Sequence, residues 1–247
     1  MTPAPIPLRD ITSLDDCRGV VSVQESVWGR DGETVPASVL FVSAKRGGIL
    51  IGGYRGTELV GFVWSLRGVR DGQATHWSHM LGVTPDARHQ GLAERLKWAQ
   101  RERALGEGRK LIKWTWEPML ARNAHFNLNR LGATVENYFE DFYGVDYGTD
   151  GRLGLASDRL SAEWRIDSDR VHALAKGNEA PFAGKRVSTI AVPADWNALV
   201  KRDAQRAREE QMRVREEFKR AFADRLICAG LERGEEQSRY ILFEPNI

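Results

Sequence analysis

The run Leu81-Gly82-Val83-Thr84-Pro85-Asp86-Ala87-Arg88-His89-Gln90-Gly91-Leu92-Ala93 decides the reading of this 247-residue chain. It is a strand, a tight turn, and a glycine where a helix begins. That arrangement suits a diphosphate, because the first N–H groups of a helix have no internal partners and the helix dipole adds positive charge there. Gly91 lets the backbone approach closely, small Ala93 leaves room for phosphate oxygens, and Arg88 can add a charge-assisted contact. No Gly-Lys-Ser/Thr follows, so this is not a Walker loop. It also lacks the glycines and parallel βαβ context of the dinucleotide fingerprint. Physics alone reads an anion site at a strand-to-helix turn, and a plain connection remains the alternative.

Working outward, Pro3, Pro5 and Pro7 lead into a short strand at Leu8–Ile11. Ser13 caps a helix carrying Leu14, Cys17, Val20, Val21 and Val27 at helical spacing, and Pro36 opens a second that closes at Gly47 and Gly48. Strands at Ile49–Tyr54 and Leu59–Leu66 form a hairpin, and a third strand runs from Thr75 to Val83. The helix begun at Gly91 ends at Gly106 and Gly108. Lys110–Trp116 reads as a buried strand, Ala121–Leu131 as a short helix and Val135–Tyr143 as a strand.

A glycine-bearing stretch then suggests a first domain at 1–145, a linker at 146–159 and a C-terminal region at 160–247. That region reads as β-β-α-β-β. Strands at Leu160–Ile166 and Arg186–Val192 precede one long helix to about Leu226 and a closing hairpin. The helix's apolar stripe, Val200, Ala204, Ala207, Val214, Phe218 and Ala221, is broken by Gln211. It is read as a buried face, with homodimerisation through it as the alternative. The fold class is α/β of the α+β type: a mixed, mostly antiparallel sheet flanked by helices.

Thirty-six basic residues face 34 acidic ones for a net charge of +2, which gives no strong field toward nucleic acid or an anionic membrane. Two cysteines, Cys17 and Cys228, fit neither a metal spacing nor a disulfide framework. No signal peptide or bilayer-length apolar run is read, so a cytoplasmic protein is expected.

Arg88-His89-Gln90-Gly91-Leu92-Ala93 resembles the acyl-CoA signature Q/R-x-x-G-x-G/A of the GNAT (N-acetyltransferase) superfamily, with the preceding Leu-x-Val-x-Pro run at that family's spacing. The element order from 8 to 143 is similar as well. The resemblance implies an acyltransferase that takes acetyl-CoA, or another acyl-CoA, as co-substrate and a small-molecule primary amine as acceptor. Main-chain amides of His89, Gln90, Gly91, Leu92 and Ala93 would hold the pyrophosphate, with Arg88 beside them. Val83 would pair with pantetheine like an added strand, and the Leu81 amide would face the thioester carbonyl. Asn123 and Asn127 would contact the cofactor or orient water.

Acetyl transfer needs a base for the amine proton. The family's usual carboxylate position falls at Trp77, which cannot serve. His79, two residues on and expected on the same strand face as Trp77 and Leu81, has a suitable pKa, and a core or rim histidine bonded to backbone is its plainer reading. Glu117, after the next strand, is the second candidate, or else a loop carboxylate. His76 reads as a surface residue at a strand start. The family's usual acid, a Tyr four residues before a Gly, falls at Leu128, with Tyr138 and Tyr143 as substitutes. These departures keep a rival open: a CoA-binding sensor or structural protein without transferase activity. Transfer to a protein amine, or from a bulkier acyl donor, is a further enzyme reading.

Overall fold

The computed structural model describes residues 5–30, 32, 34–70, 72–144 and 154–245. Packing divides the chain between Lys113 and Trp114 into two compact units. Of the 146–159 linker expected from sequence, 146–153 lie outside the described residues.

The first unit is built on a mixed sheet in the order β1 (Leu8–Asp10), β2 (Ile49–Arg55), β3 (Glu58–Arg70), β4 (Gln73–Val83) and the first half of β5 (Leu111–Trp116), which the division crosses. The first four strands are antiparallel neighbours. β4 meets β5 in parallel, with His76 opposite Ile112 and Trp77 opposite Lys113. Helix α1 (Leu14–Trp28) starts where Ser13 Oγ accepts the Asp16 N–H at 3.0 Å, the cap read from sequence. It packs with α2 (Ala37–Lys45) on one face of the sheet, burying Cys17, Val20, Val23 and Leu40 against Leu50, Tyr54, Phe62 and Trp64.

Helix α3 (Leu92–Gly106) covers the opposite face, and glycine makes that approach feasible. A Cβ on Gly53 would come within 2.8 Å of Leu92 Cδ1, and one on Gly61 within 3.0 Å of Leu92 Cδ2. Leu92, 2% exposed, therefore locks the first turn of α3 onto β2 and β3 and fixes where the helix N-terminus lies. The helix ends as its glycines require. Gly108 takes φ +71°, Arg109 N–H donates to Ala104 O at 2.9 Å, and Gly108 N–H donates to Leu105 O at 2.9 Å.

The second unit holds antiparallel strands in the order β7 (Arg159–Arg165), β6 (Thr134–Phe139), β9 (Ile227–Glu232), β10 (Gln237–Phe243) and β8 (Arg186–Pro193). The expected helix at 121–131 is α4 (Ala121–His125) continued by a wider turn, in which Leu131 N–H reaches Phe126 O at 3.0 Å. Between β7 and β8 lies a short helix that the sequence reading missed, α5 (Asp169–Ala175), capped by Ser168.

The single long helix expected from Asp195 onward is two helices, α6 (Trp196–Arg202) and α7 (Ala204–Ala223). Asp203 breaks it by turning its side chain onto the Arg206 N–H at 3.0 Å, which starts a new helix. Gln211 does not interrupt the buried stripe. Its amide is 2% exposed and bonds both Ala156 N–H, at 2.8 Å, and Ala156 O, at 2.9 Å. Because Ala207, Val214 and Phe218 are fully buried within one chain, that stripe is not a surface for dimerisation. Cys17 and Cys228 are free and buried. Among the described residues no helix is long and apolar enough to cross a membrane.

Candidate functional site

The signature loop folds as a tight crossing from β4 to α3. Pro85–Ala87 forms one 3-10 turn, Arg88 is extended, and His89 and Gly91 both take left-handed backbone, with φ +62° and +71°. Gly91 is the N-cap of α3, and no side chain caps that end. A Cβ at Gly91 would meet nothing within 4 Å. Glycine is thus required there by backbone conformation, and the space in front of the helix is open. His89, Gln90 and Gly91 are exposed and Ala93 is half-buried, so the loop presents its main chain outward. Leu92 differs from the rest: its side chain is committed to the core, and only its N–H remains to face a ligand.

Arg88 Nε donates to Val83 O at 3.2 Å, bracing the loop against the end of β4. Gln90 Nε2 donates to Asp86 O at 3.3 Å, and the Asp86 carboxylate pairs with Arg55. The hydrogen bond from Thr84 and that from Arg55 hold Asp86 below the ordinary carboxylate value.

β4 carries an irregularity that the sequence reading did not anticipate. Met80 lies opposite Trp64 and Ser78 opposite Ser65, so His79 has no partner on β3 and forms a β-bulge. The bulge reverses the alternation of side chains. Ser78 and Leu81, opposite Ser65 and Val63, share the α3 face, whereas Met80 joins the cluster under α1 and α2. The expectation that His79 shares a face with Leu81 is therefore corrected, because it assumed an uninterrupted period of two.

His79 is exposed and stands edge-on to the Trp64 indole, with centroids 5.2 Å apart at 86°. Partial desolvation pushes its pKa below the usual histidine value, which leaves the ring neutral near pH 7 and able to accept a proton. His76, expected at the surface, is fully buried. Its Nδ1 pairs with Ser65 Oγ at 3.2 Å and its Nε2 with the Glu107 carboxylate at 3.2 Å. Burial lowers its pKa, and the hydrogen bond and charge of Glu107 oppose that shift.

Beneath the bulge lies a constellation that sequence reasoning missed. Lys97 Nζ donates to Ser78 Oγ at 3.0 Å and to Gln100 Oε1 at 2.7 Å, and Ser78 Oγ donates to Gln100 Oε1 at 3.1 Å. Lys97 is 3% exposed, Ser78 7% and Gln100 0%. Desolvation drives the Lys97 amine well below its usual pKa. In a charge-dense helix such as α3, a lysine gives no sequence signal that distinguishes it from a solvated one.

The remaining candidates belong to the second unit. Glu117 is half-buried just beyond β5. The turn that carries it is held from β10, where the fully buried Tyr240 hydroxyl donates to Pro118 O at 2.7 Å. The Trp116 indole N–H reaches the same hydroxyl at 3.4 Å. Asn123 is exposed on α4, whereas Asn127 is 6% exposed and its carbonyl accepts from Ala133 N–H at 3.0 Å. Leu128, at the position of the family's tyrosine, is fully buried. Tyr138 does not offer a ready acid: its hydroxyl donates to Asp158 at 2.7 Å, and burial with that carboxylate raises its pKa far above the usual phenol.

No protein-family model and no curated protein match the sequence. Solved structures do match the fold. The ribosomal-protein-S18-alanine N-acetyltransferase of Escherichia coli aligns with 66% of this chain and 94% of its own, at 14% identity and a TM-score of 0.53. YncA of Salmonella typhimurium, solved with its cofactor acetyl-CoA, aligns with 73% of this chain and 99% of its own, at 17% identity and a TM-score of 0.53. A GNAT-family acetyltransferase of Streptococcus pneumoniae covers 64% of this chain and 98% of its own, at 14% identity and a TM-score of 0.52. The chain has the GNAT fold. The shared portion is longer than the 8–143 segment on which the sequence resemblance rests.

Proposed function

We propose that the protein is an acyltransferase that moves an acetyl or other short acyl group from acyl-CoA to the primary amine of a small molecule in the cytoplasm. The observation that carries this reading is the pairing of an open, uncapped helix N-terminus at Gly91 with a bulge at His79 on the strand leading into it. The first supplies N–H donors for a pyrophosphate, and the second takes His79 out of the β3 ladder next to the stretch whose main chain would face a thioester carbonyl.

In the reaction the amine nitrogen attacks the thioester carbon, the new N–C bond forms, and the C–S bond breaks to release CoA thiolate. The amine proton passes to a base. His79 is the first candidate, neutral and exposed beside the bulge, and Glu117 is the second. The thiolate takes a proton from solvent or from the substrate's own ammonium. A second reading, CoA binding without transfer, is favoured by Trp77 at the usual carboxylate position and by the buried Leu128 at the usual tyrosine position.

The test is calorimetric titration with acetyl-CoA and CoA, beside a Gly91→Glu variant. Micromolar binding that is lost in the variant, followed by turnover in an amine screen, supports transfer. His79→Ala should then lower kcat by about 10²–10⁴ if it is the base. Binding without turnover on any amine selects the sensor reading. A wild type that binds no CoA thioester refutes both.

A further inference from the structure

A β-bulge leaves one residue outside the ladder, so something must hold the strand in that register. On β4 the two sides of the bulge are fixed by different chemistry. After it, Leu81 lies opposite Val63 and Val83 opposite Gly61, against which Leu92 of α3 packs. Before it, the side chains of β4 that bond toward α3 are polar. His76 is tied to Ser65 and Glu107, and Ser78 closes a three-membered ring with Lys97 and Gln100. A slip of one residue in the first half of the strand would erase the bulge. It would also turn His76 and Ser78 away from α3, leaving the Lys97 amine and the Gln100 carboxamide buried without Ser78. Hydrogen bonds lost between buried groups in this way are costly, and the ring penalises the unbulged register.

We propose that Lys97, acting with Gln100 through the Ser78 hydroxyl, is a positioning residue that holds the His79 bulge and so aims the main-chain N–H groups of His79–Leu81 at the thioester carbonyl. Lys97 itself does not touch the substrate, since it sits at the α3–β4 interface and is 3% exposed. Its burial is otherwise unfavourable, because removing an amine from water costs more than an apolar residue of equal length would. The low pKa is consistent with that position. This inference rests on the acyl-CoA reading above and adds to it the device that sets the oxyanion-facing geometry.

The test is isotope-edited infrared difference spectroscopy of acetyl-CoA carrying ¹³C at the thioester carbonyl, bound to wild type, Lys97→Met and Ser78→Ala. CoA affinity is measured on each by calorimetry. In the wild type the carbonyl band should be red-shifted from free acetyl-CoA. In both variants it should return toward the free position, while the Kd for CoA, set by the 88–93 loop, changes by less than about threefold. Ser78→Ala removes a single hydroxyl and keeps the experiment decisive if Lys97→Met does not fold. A variant band at the wild-type position overturns the proposal, as does a wild-type band that is not shifted. A wild type that binds neither ligand removes the acyl-CoA reading itself, an outcome distinct from bound ligand with unmoved bands.

Discussion

Gly91 is held by its backbone rather than by crowding, since φ is +71° and a Cβ there would touch nothing. A Gly91→Ala variant should therefore lose about 1–2 kcal/mol, the cost of left-handed backbone for an L-residue, yet keep its fold and CoA binding. Thermal unfolding and calorimetry measure the two separately. Abolished CoA binding in a folded Ala variant would mean that the methyl itself blocks the ligand, contrary to the open space seen. Leu92 divides its two parts between different tasks, with its main chain in the signature turn and its side chain in the core. Its place in the signature is legible in the sequence, but its side chain belongs to the core, because Gly53 and Gly61 create the gap it fills. Nothing local to residues 88–93 announces that gap.

At the scale of elements, caps and glycines made helices α1, α2 and α3 readable, because these signals act within a turn of the residue that carries them. The bulge was not readable, because register is a relation between two strands. The break at Asp203 was missed for a related reason. The apolar stripe runs on through it, and a local cap outcompetes the periodicity. The joins between elements are equally hidden. Arg170 of α5 donates to Leu128 O, Gly132 O, Ala180 O and Ala229 O at 3.0–3.1 Å, tying four backbone segments of the second unit together. Burial lowers its pKa to about 10, which still leaves it charged near neutral pH. Arg170→Met should destabilise the protein by at least about 3 kcal/mol, because several buried carbonyls lose their donor at once. Chemical denaturation measures this, and a loss below about 1 kcal/mol would show that water replaces the guanidinium.

For the whole molecule, three histidines share one direction. His76, His79 and His125 all have pKa values below the usual one, with desolvation as the leading cause in each. The unfolded chain therefore binds more protons than the folded one between the folded values and the unfolded value of about 6.5. The stability these neutral rings contribute is present above about pH 6.5 and is lost as pH falls through that window, before most carboxylates titrate. The melting temperature should be lower at about pH 5.5 than at about pH 7.5. A flat or rising profile on acidification would contradict the lowered pKa values of these rings.

Local signals in the chain suffice for the order of the first strands and helices, the strand-to-helix turn at Arg88–Ala93 and the resemblance to the GNAT fold. Each of these is written in short-range signals: alternation, helical spacing, a cap, a glycine. The tertiary structure alone decided that His79 is bulged and that His76 is buried. It alone drew Lys97, Ser78 and Gln100 into one ring, and let Tyr240, more than 100 residues away, hold the turn that carries Glu117. These features depend on which distant segments meet, and on the cost of burying polar groups unless they meet correctly.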